Sequence, residues 1–274
     1  MVIQWYPGHM TKAIRMMEEN VKLVDILLYV LDARCYKACL NPSFDKLTVK
    51  PRIYVLNKVD TIERADAERI KKELSATGHM VVTADSIKGR GKDIISALSA
   101  VLADKIEHFK SKGINKTIRA MVLGVPNSGK STMVNSLVGG KKTITGDRPG
   151  VTRGKQWVAI SDHINLLDTP GTLWPSFEDQ FLARHLAFVG CIKDDILNVE
   201  ELALCLVAEL RERFPGVLSA RYGIVEEGEN YEVMEAIGKK RGCVIRGGEI
   251  DWERAAKAIL DDFRKQKLGK IALE

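Results

Sequence analysis

Gly124-Val125-Pro126-Asn127-Ser128-Gly129-Lys130-Ser131 stands between an apolar run, Ile118–Leu123, and a segment of helical spacing that starts near Lys130. A turn that presents successive backbone N–H groups to a phosphate needs glycines for its backbone angles. It also needs a strand to enter from and a helix N-terminus to lead into. The spacing G-x-x-x-x-G-K-S therefore predicts a strand, phosphate loop and helix in that order. Asn127, Ser128, Gly129, Lys130, Ser131 and Thr132 are the expected phosphate contacts. Lys130 would neutralise the outer phosphates and Ser131 would hold magnesium.

The rest of the N-terminal part supplies the sheet that such a unit requires. Apolar runs at 26–31, 53–56, 80–83 and 118–123 read as strands, and amphipathic spacing over 11–21, 65–77 and 93–109 reads as helices. This alternation predicts an α/β fold with a mostly parallel sheet and helices on both faces. A polar segment at 110–116 interrupts it, and 156–160 with 164–167 are expected as a hairpin-like pair.

Asn57-Lys58-Val59-Asp60 ends the second of these strands, at the carboxyl edge where open α/β sheets bind ligands. A carboxylate at Asp60 can accept from the ring N–H and the exocyclic amine of guanine, whereas adenine offers an acceptor where Asp60 needs a donor. The mismatch leaves a charge unpaired, a loss large enough to discriminate. Asn57, Lys58 and Asp60 are therefore expected to select GTP over ATP. Alone, the tetrapeptide also fits a turn with a solvated lysine; the phosphate loop in the same chain favours recognition. Thr83-Ala84-Asp85-Ser86-Ile87-Lys88 follows the next strand. There Asp85 and Ser86 either set a backbone N–H against the guanine carbonyl or form a polar turn before Gly89.

Asp168-Thr169-Pro170-Gly171 closes the hairpin. Asp168 is expected to hold magnesium through water and Gly171 to bind the terminal phosphate. Thr152, within Pro149-Gly150-Val151-Thr152-Arg153, is expected to reach the same ion. The order of base motif, phosphate loop and switches reverses that of the ordinary small GTPases. The expected fold is thus a P-loop GTPase domain in circularly permuted order, whose second switch runs straight into the segment that follows.

That segment changes character. Residues 178–274 show three-and-four spacing of apolar residues, as in Leu202, Leu206 and Leu210 or Trp252, Ala256, Ile259 and Phe263, with little strand signal. Two domains are expected: a permuted GTPase domain over 1–177, opening with a helix inside 1–22, and an all-helical domain over 178–274. The chain carries 42 Lys and Arg against 36 Asp and Glu, and the surplus lies in the first 180 residues, with 27 against 19. Lys12, Arg15 and Lys22, and the clusters Lys239-Lys240-Arg241, Arg246 and Arg264, Lys265, Lys267, Lys270, are candidate RNA contacts. Charge runs of this kind are also common as solvated faces.

No apolar run approaches the roughly 18 residues a membrane span requires, and the N-terminus shows no leader pattern. Five scattered cysteines, Cys35, Cys39, Cys191, Cys205 and Cys243, suit a reducing compartment better than a disulfide framework. A cytoplasmic monomer is expected.

With these motifs placed, the sequence resembles the circularly permuted GTPases, and among them the ribosome biogenesis GTPase A (YlqF) family, over essentially its whole length. The resemblance is carried by Trp5-Tyr6-Pro7-Gly8-His9-Met10, by Asn57-Lys58-Val59-Asp60, by residues 124–132, by Asp168-Thr169-Pro170-Gly171-Thr172-Leu173-Trp174-Pro175 and by Lys267-Leu268-Gly269-Lys270. It implies a GTPase, cycling between GTP and GDP, that helps mature the large ribosomal subunit, contacts its RNA, and turns over slowly alone but faster on the particle. Two rival readings stay open: a GTP-gated RNA-binding module with incidental turnover, and a GTPase acting on RNA modification or a protein partner. Where many GTPases place a water-orienting Gln after the second-switch glycine, this chain has Thr172. The resemblance assigns that task to His9, with the Thr172 hydroxyl as the alternative, and marks Asn127 as a potassium ligand.

Overall fold

A computed structural model describes residues 1–47, 50–85, 91–138, 156–161 and 163–274. Its contacts divide the chain into two units, one of Gln4–Ser176 with Ala272–Glu274 and one of Met1–Ile3 with Phe177–Ile271. The chain therefore passes from one unit to the other three times.

The larger unit holds β1 (Ile26–Asp32), β2 (Arg52–Asn57), β3 (Met80–Thr83), β4 (Ile118–Leu123), β5 (Gln156–Ser161) and β6 (Ile164–Asp168). They form one sheet in the order β3-β2-β1-β4-β6-β5. All neighbours are parallel except β5, which pairs antiparallel with β6 at the edge. Every residue of β1 and β2 is buried. Strands covered on both faces read as unbroken apolar runs, which is why these two stood out in the sequence without alternation.

The helices of this unit are α1 (Gly8–Asn20), α2 (Arg64–Ser75), α3 (Gly91–Val101), α4 (Ala103–Lys110) and α5 (Lys130–Leu137). The single helix expected over 93–109 is two, because Leu102 leaves the helical region at φ −105°, ψ 13°. Its side chain stays buried in the cluster that α3 and α5 share with the sheet. That cluster takes Ile118, Ala120, Val122, Ile164 and Leu166 from one sheet face, and Ile94, Leu98, Met133 and Val134 from the helices. Each of these side chains larger than Ala120 stabilises the fold by about 1.5–3 kcal/mol relative to exposure. The parallel register sets Asp32 opposite Asn57, so the carboxyl ends of β1, β2, β3, β4 and β6 converge on one edge.

The second unit is helical: α6 (Gln180–Phe188), α7 (Val199–Arg213), α8 (Val217–Tyr222), α9 (Asn230–Lys240) and α10 (Trp252–Arg264). Of the expected three-and-four faces, Leu202, Leu206 and Leu210 of α7 and Ala256, Ile259 and Phe263 of α10 are buried, whereas Trp252 at the start of α10 is half-buried. Side chains that accept from free backbone N–H groups fix three helix starts: Asp179 for α6, Asn198 for α7 and Asp251 for α10. A single bridge, Val244 to Ile250, is the one strand-like pairing among the described residues of this unit. No helix among the described residues is long and apolar enough to cross a membrane.

Candidate nucleotide site

The loop between β4 and α5 is folded around its own lysine. Lys130 Nζ donates to the carbonyl oxygens of Gly124 (3.1 Å) and Val125 (2.8 Å), and Ser128 Oγ donates to the Val125 carbonyl (3.0 Å). Gly129 caps α5 at φ 93°, a conformation cheap only for glycine. A Cβ there would also collide with the Asn57 side-chain amide.

The base motif and the phosphate loop are tied together. Asn57 Nδ2 donates to the Ser128 carbonyl (2.8 Å), and Lys58 Nζ donates both to the Asn127 carbonyl (2.7 Å) and to Asp32 Oδ2 (2.8 Å). Lys58 and Asn127 both sit at positive φ, 60° and 56°. Non-glycine residues rarely adopt this region, so its double use here marks a constrained site. Pairing between β2 and β3 continues past their ends: Ala84 N–H donates to Leu56 O (2.8 Å) and Val59 N–H to Ala84 O (3.4 Å). This sets the Asp60 turn beside Ala84 and the buried Asp85. Asp60 is half-buried and makes no ion pair among the described residues. Ser86 lies outside the described residues.

Asp32 is the residue that sequence reasoning missed. Fully buried at the end of β1, it accepts from Arg34 Nε (2.9 Å), Arg34 Nη2 (2.8 Å) and Lys58 Nζ (2.8 Å). Burial pushes its carboxyl up, but Arg34 and Lys58 outweigh that and hold it well below the usual carboxylate range. The available signal was positional: Asp32 leaves the same sheet edge as Asn57 and lies in register with it. The chain's last residues steady the loop that follows. Leu273 N–H donates to Arg34 O (2.7 Å), and the Glu274 carboxylate accepts from the Lys37 and Ala38 N–H groups.

On the β6 side, Ser131 Oγ donates to Asp168 Oδ2 (2.9 Å). Asp168 is fully buried, and its Oδ1 has no hydrogen-bond partner among the described residues. Burial pushes its carboxyl above the usual value, against the opposing pull of Lys130 and Ser131. Gly171 lies against the phosphate loop so closely that a Cβ would stand 2.6 Å from Pro126 Cα. Thr172 N–H donates to Gly124 O (3.3 Å), and Asn41 Nδ2 donates to Thr172 O (3.0 Å). The Thr172 hydroxyl is buried and lacks a partner among the described residues. Leu173 N–H donates to the sulfur of Met10 (3.4 Å), so the exposed His9 at the start of α1 is one residue from a contact with this loop. Thr152 lies outside the described residues. Thr132 follows Ser131 in α5.

Residues 119–218 match the family described as 50S ribosome-binding GTPase. The whole chain aligns with ribosome biogenesis GTPase A of Bacillus cereus at 42% identity over 284 residues, covering 100% of this chain and 94% of that one. Two solved structures of YlqF from Thermotoga maritima are similar throughout. The GDP-bound form gives a TM-score of 0.67 at 25% identity, covering 95% of this chain and 98% of that one. The GNP-bound form gives 0.66 at 26%, covering 96% and 97%. The permuted order of motifs, the mostly parallel sheet with its helical companion, and these full-length likenesses agree: the chain is a GTPase and belongs to the ribosome biogenesis GTPase A family.

Proposed function

We propose that the chain binds GTP with magnesium at this sheet edge and uses hydrolysis to time its release from a maturing large ribosomal subunit in the cytoplasm. The observation that carries the hydrolytic part is the Ser131–Asp168 pair, whose second carboxylate oxygen is buried without a partner among the described residues. An acceptor left that way costs about 1–3 kcal/mol, and a hydrated cation would relieve it. These donors fit magnesium, with Thr152 as a further ligand; the ion, when bound, neutralises and orients phosphate oxygens.

Asp60 reads the guanine edge, Asn57 and Lys58 hold the Asp60 turn against the phosphate loop, and the Asp85-Ser86 segment offers a backbone N–H to the guanine carbonyl. Residues 127–132 and Gly171 receive the phosphates. Lys130 exchanges its bonds to the Gly124 and Val125 carbonyls for phosphate oxygens. His9 orients the attacking water from α1. Thr172 is the second candidate for that task, favoured by its buried hydroxyl next to Gly171, which lacks a partner among the described residues. Asn127, half-exposed at the tip of the loop, offers its carboxamide oxygen to potassium.

The ribosomal partner is supported by the names of the relatives and of the matching family and by the basic surplus of the first 180 residues. Residues 1–177 would carry the GTPase, with Lys12, Arg15 and Lys22 as RNA contacts near its start, and 178–274 the other RNA contacts. Sedimentation with large-subunit particles tests this reading. A non-hydrolysable GTP analogue should hold the protein on the particle and GDP should release it. Equal binding in both states would leave a GTP-independent RNA binder.

A further inference from the structure

Away from the nucleotide edge, the sheet carries an open aromatic and cationic cleft. Strand alternation sends Ile118, Ile164 and Val158 into the core cluster, so their neighbours Arg119, Asn165 and Trp157 face the other way. Arg119 and Asn165 are opposite one another in register. With Leu23 these side chains line a cleft of about 210 Å³. Trp157 is 39% exposed and Leu23 52%. The Arg119 guanidinium lies 5.9 Å from the Trp157 ring centroid, and neither it nor the Asn165 amide has a side-chain hydrogen bond or ion pair among the described residues.

The surroundings are positive. Lys105 (2.7 Å) and Lys116 (3.3 Å) share one carboxylate, Asp25, which also accepts from the Arg119 backbone N–H (2.9 Å). Lys22 is exposed beside Leu23. An accessible indole, a guanidinium 5.9 Å from its ring centroid, an amide able to both donate and accept, and cations in excess of carboxylates form the combination that receives a base and its flanking phosphates.

We propose that this cleft takes an unpaired base of single-stranded RNA, stacked on Trp157 and bordered by Arg119 and Asn165, with Lys22, Lys105 and Lys116 meeting the adjacent phosphates. The proposal rests on an RNA-containing partner, but places a contact on the GTPase unit, independent of the basic clusters in the helical unit.

Anisotropy of a labelled single-stranded oligoribonucleotide, measured with the full chain at several salt concentrations, tests it. Trp157→Ala should weaken binding by roughly 5- to 150-fold, the range of base–aromatic stacking, and Trp157→Phe should recover most of it. Arg119→Ala should weaken binding and flatten its salt dependence. Basal GTP turnover should be unchanged in all three. Binding of Trp157→Ala equal to wild type, or no oligoribonucleotide binding by the wild type, overturns the proposal while leaving particle release untouched. Weaker particle binding with unchanged oligoribonucleotide binding also overturns it, by assigning the cleft to a ribosomal protein. Loss of GTP-dependent particle binding in the wild type would instead defeat the proposed function.

Discussion

The β1–β2 side of the nucleotide edge and its β6 side treat buried polar atoms in opposite ways. Around β1 and β2 the protein supplies its own partners: Asp32 is held by Arg34 and Lys58, and Asn57 and Lys58 hold the phosphate loop. Around β6, Asp168 Oδ1 and Thr172 Oγ1 are buried without partners among the described residues. The first arrangement stabilises the fold before any ligand arrives. The second lowers stability until something binds, and binding recovers it. On the proposed reading, geometry for choosing a base is thus built in, whereas geometry for handling the phosphate and its ion is left incomplete.

The largest effect is expected at Asp32, which holds the β1–β2 side together. Asp32→Ala removes the carboxylate that faces the buried Arg34 guanidinium and Lys58, and urea unfolding should show a loss of about 3–5 kcal/mol, together with weaker GTP binding through a less firmly held Lys58. The pH sign follows from its lowered pKa. Its contribution is fully present above the unfolded value, 3.8 for an ordinary aspartate, and fades only as pH falls through the lower folded value. A variant as stable as wild type would show that the network is incidental.

Asp168 should behave in reverse. Because its folded pKa is raised, the ionised carboxylate costs stability at neutral pH, and falling pH relieves that cost. Asp168→Asn should therefore raise the melting temperature of the nucleotide-free protein, by about 2–4 °C for each 1 kcal/mol gained, while removing the magnesium dependence of GTP binding. A lower melting temperature would contradict the contrast between the two sides.

Two smaller effects sharpen the β6 side. His9→Ala should leave GTP affinity unchanged and reduce particle-stimulated turnover by about 10²-fold, within the usual range for a positioned general base. If Thr172→Val does this instead, the hydroxyl is the orienting group. Replacing potassium by sodium should slow turnover several-fold in the wild type and not in Asn127→Ala.

Legibility in the sequence followed locality. The phosphate loop, the Asn57-Lys58-Val59-Asp60 turn and Asp168 were readable because each is a short segment whose residue types and flanking strand fix its chemistry. Strand and helix limits came within a few residues for the same reason, except at Leu102, where burial in the core overrides continuous helical spacing. Asp32 was not read because one aspartate after an apolar strand is a weak pattern until Lys58 arrives from the neighbouring strand. Glu274 carried no local signal: its contacts lie with Lys37 and Ala38, far away in the chain. The Trp157 cleft was equally hidden, since it joins side chains from β4, β5, β6 and the turn before β1.

A GTP-selective switch completed by its particle is read out by phosphate release from the purified protein in potassium and magnesium, with and without large ribosomal subunits, with ATP as control. Such a switch turns GTP over slowly alone, is strongly stimulated by the particle and turns over no ATP in either case. Tight GTP binding with no stimulation, or equal turnover of ATP, would contradict it.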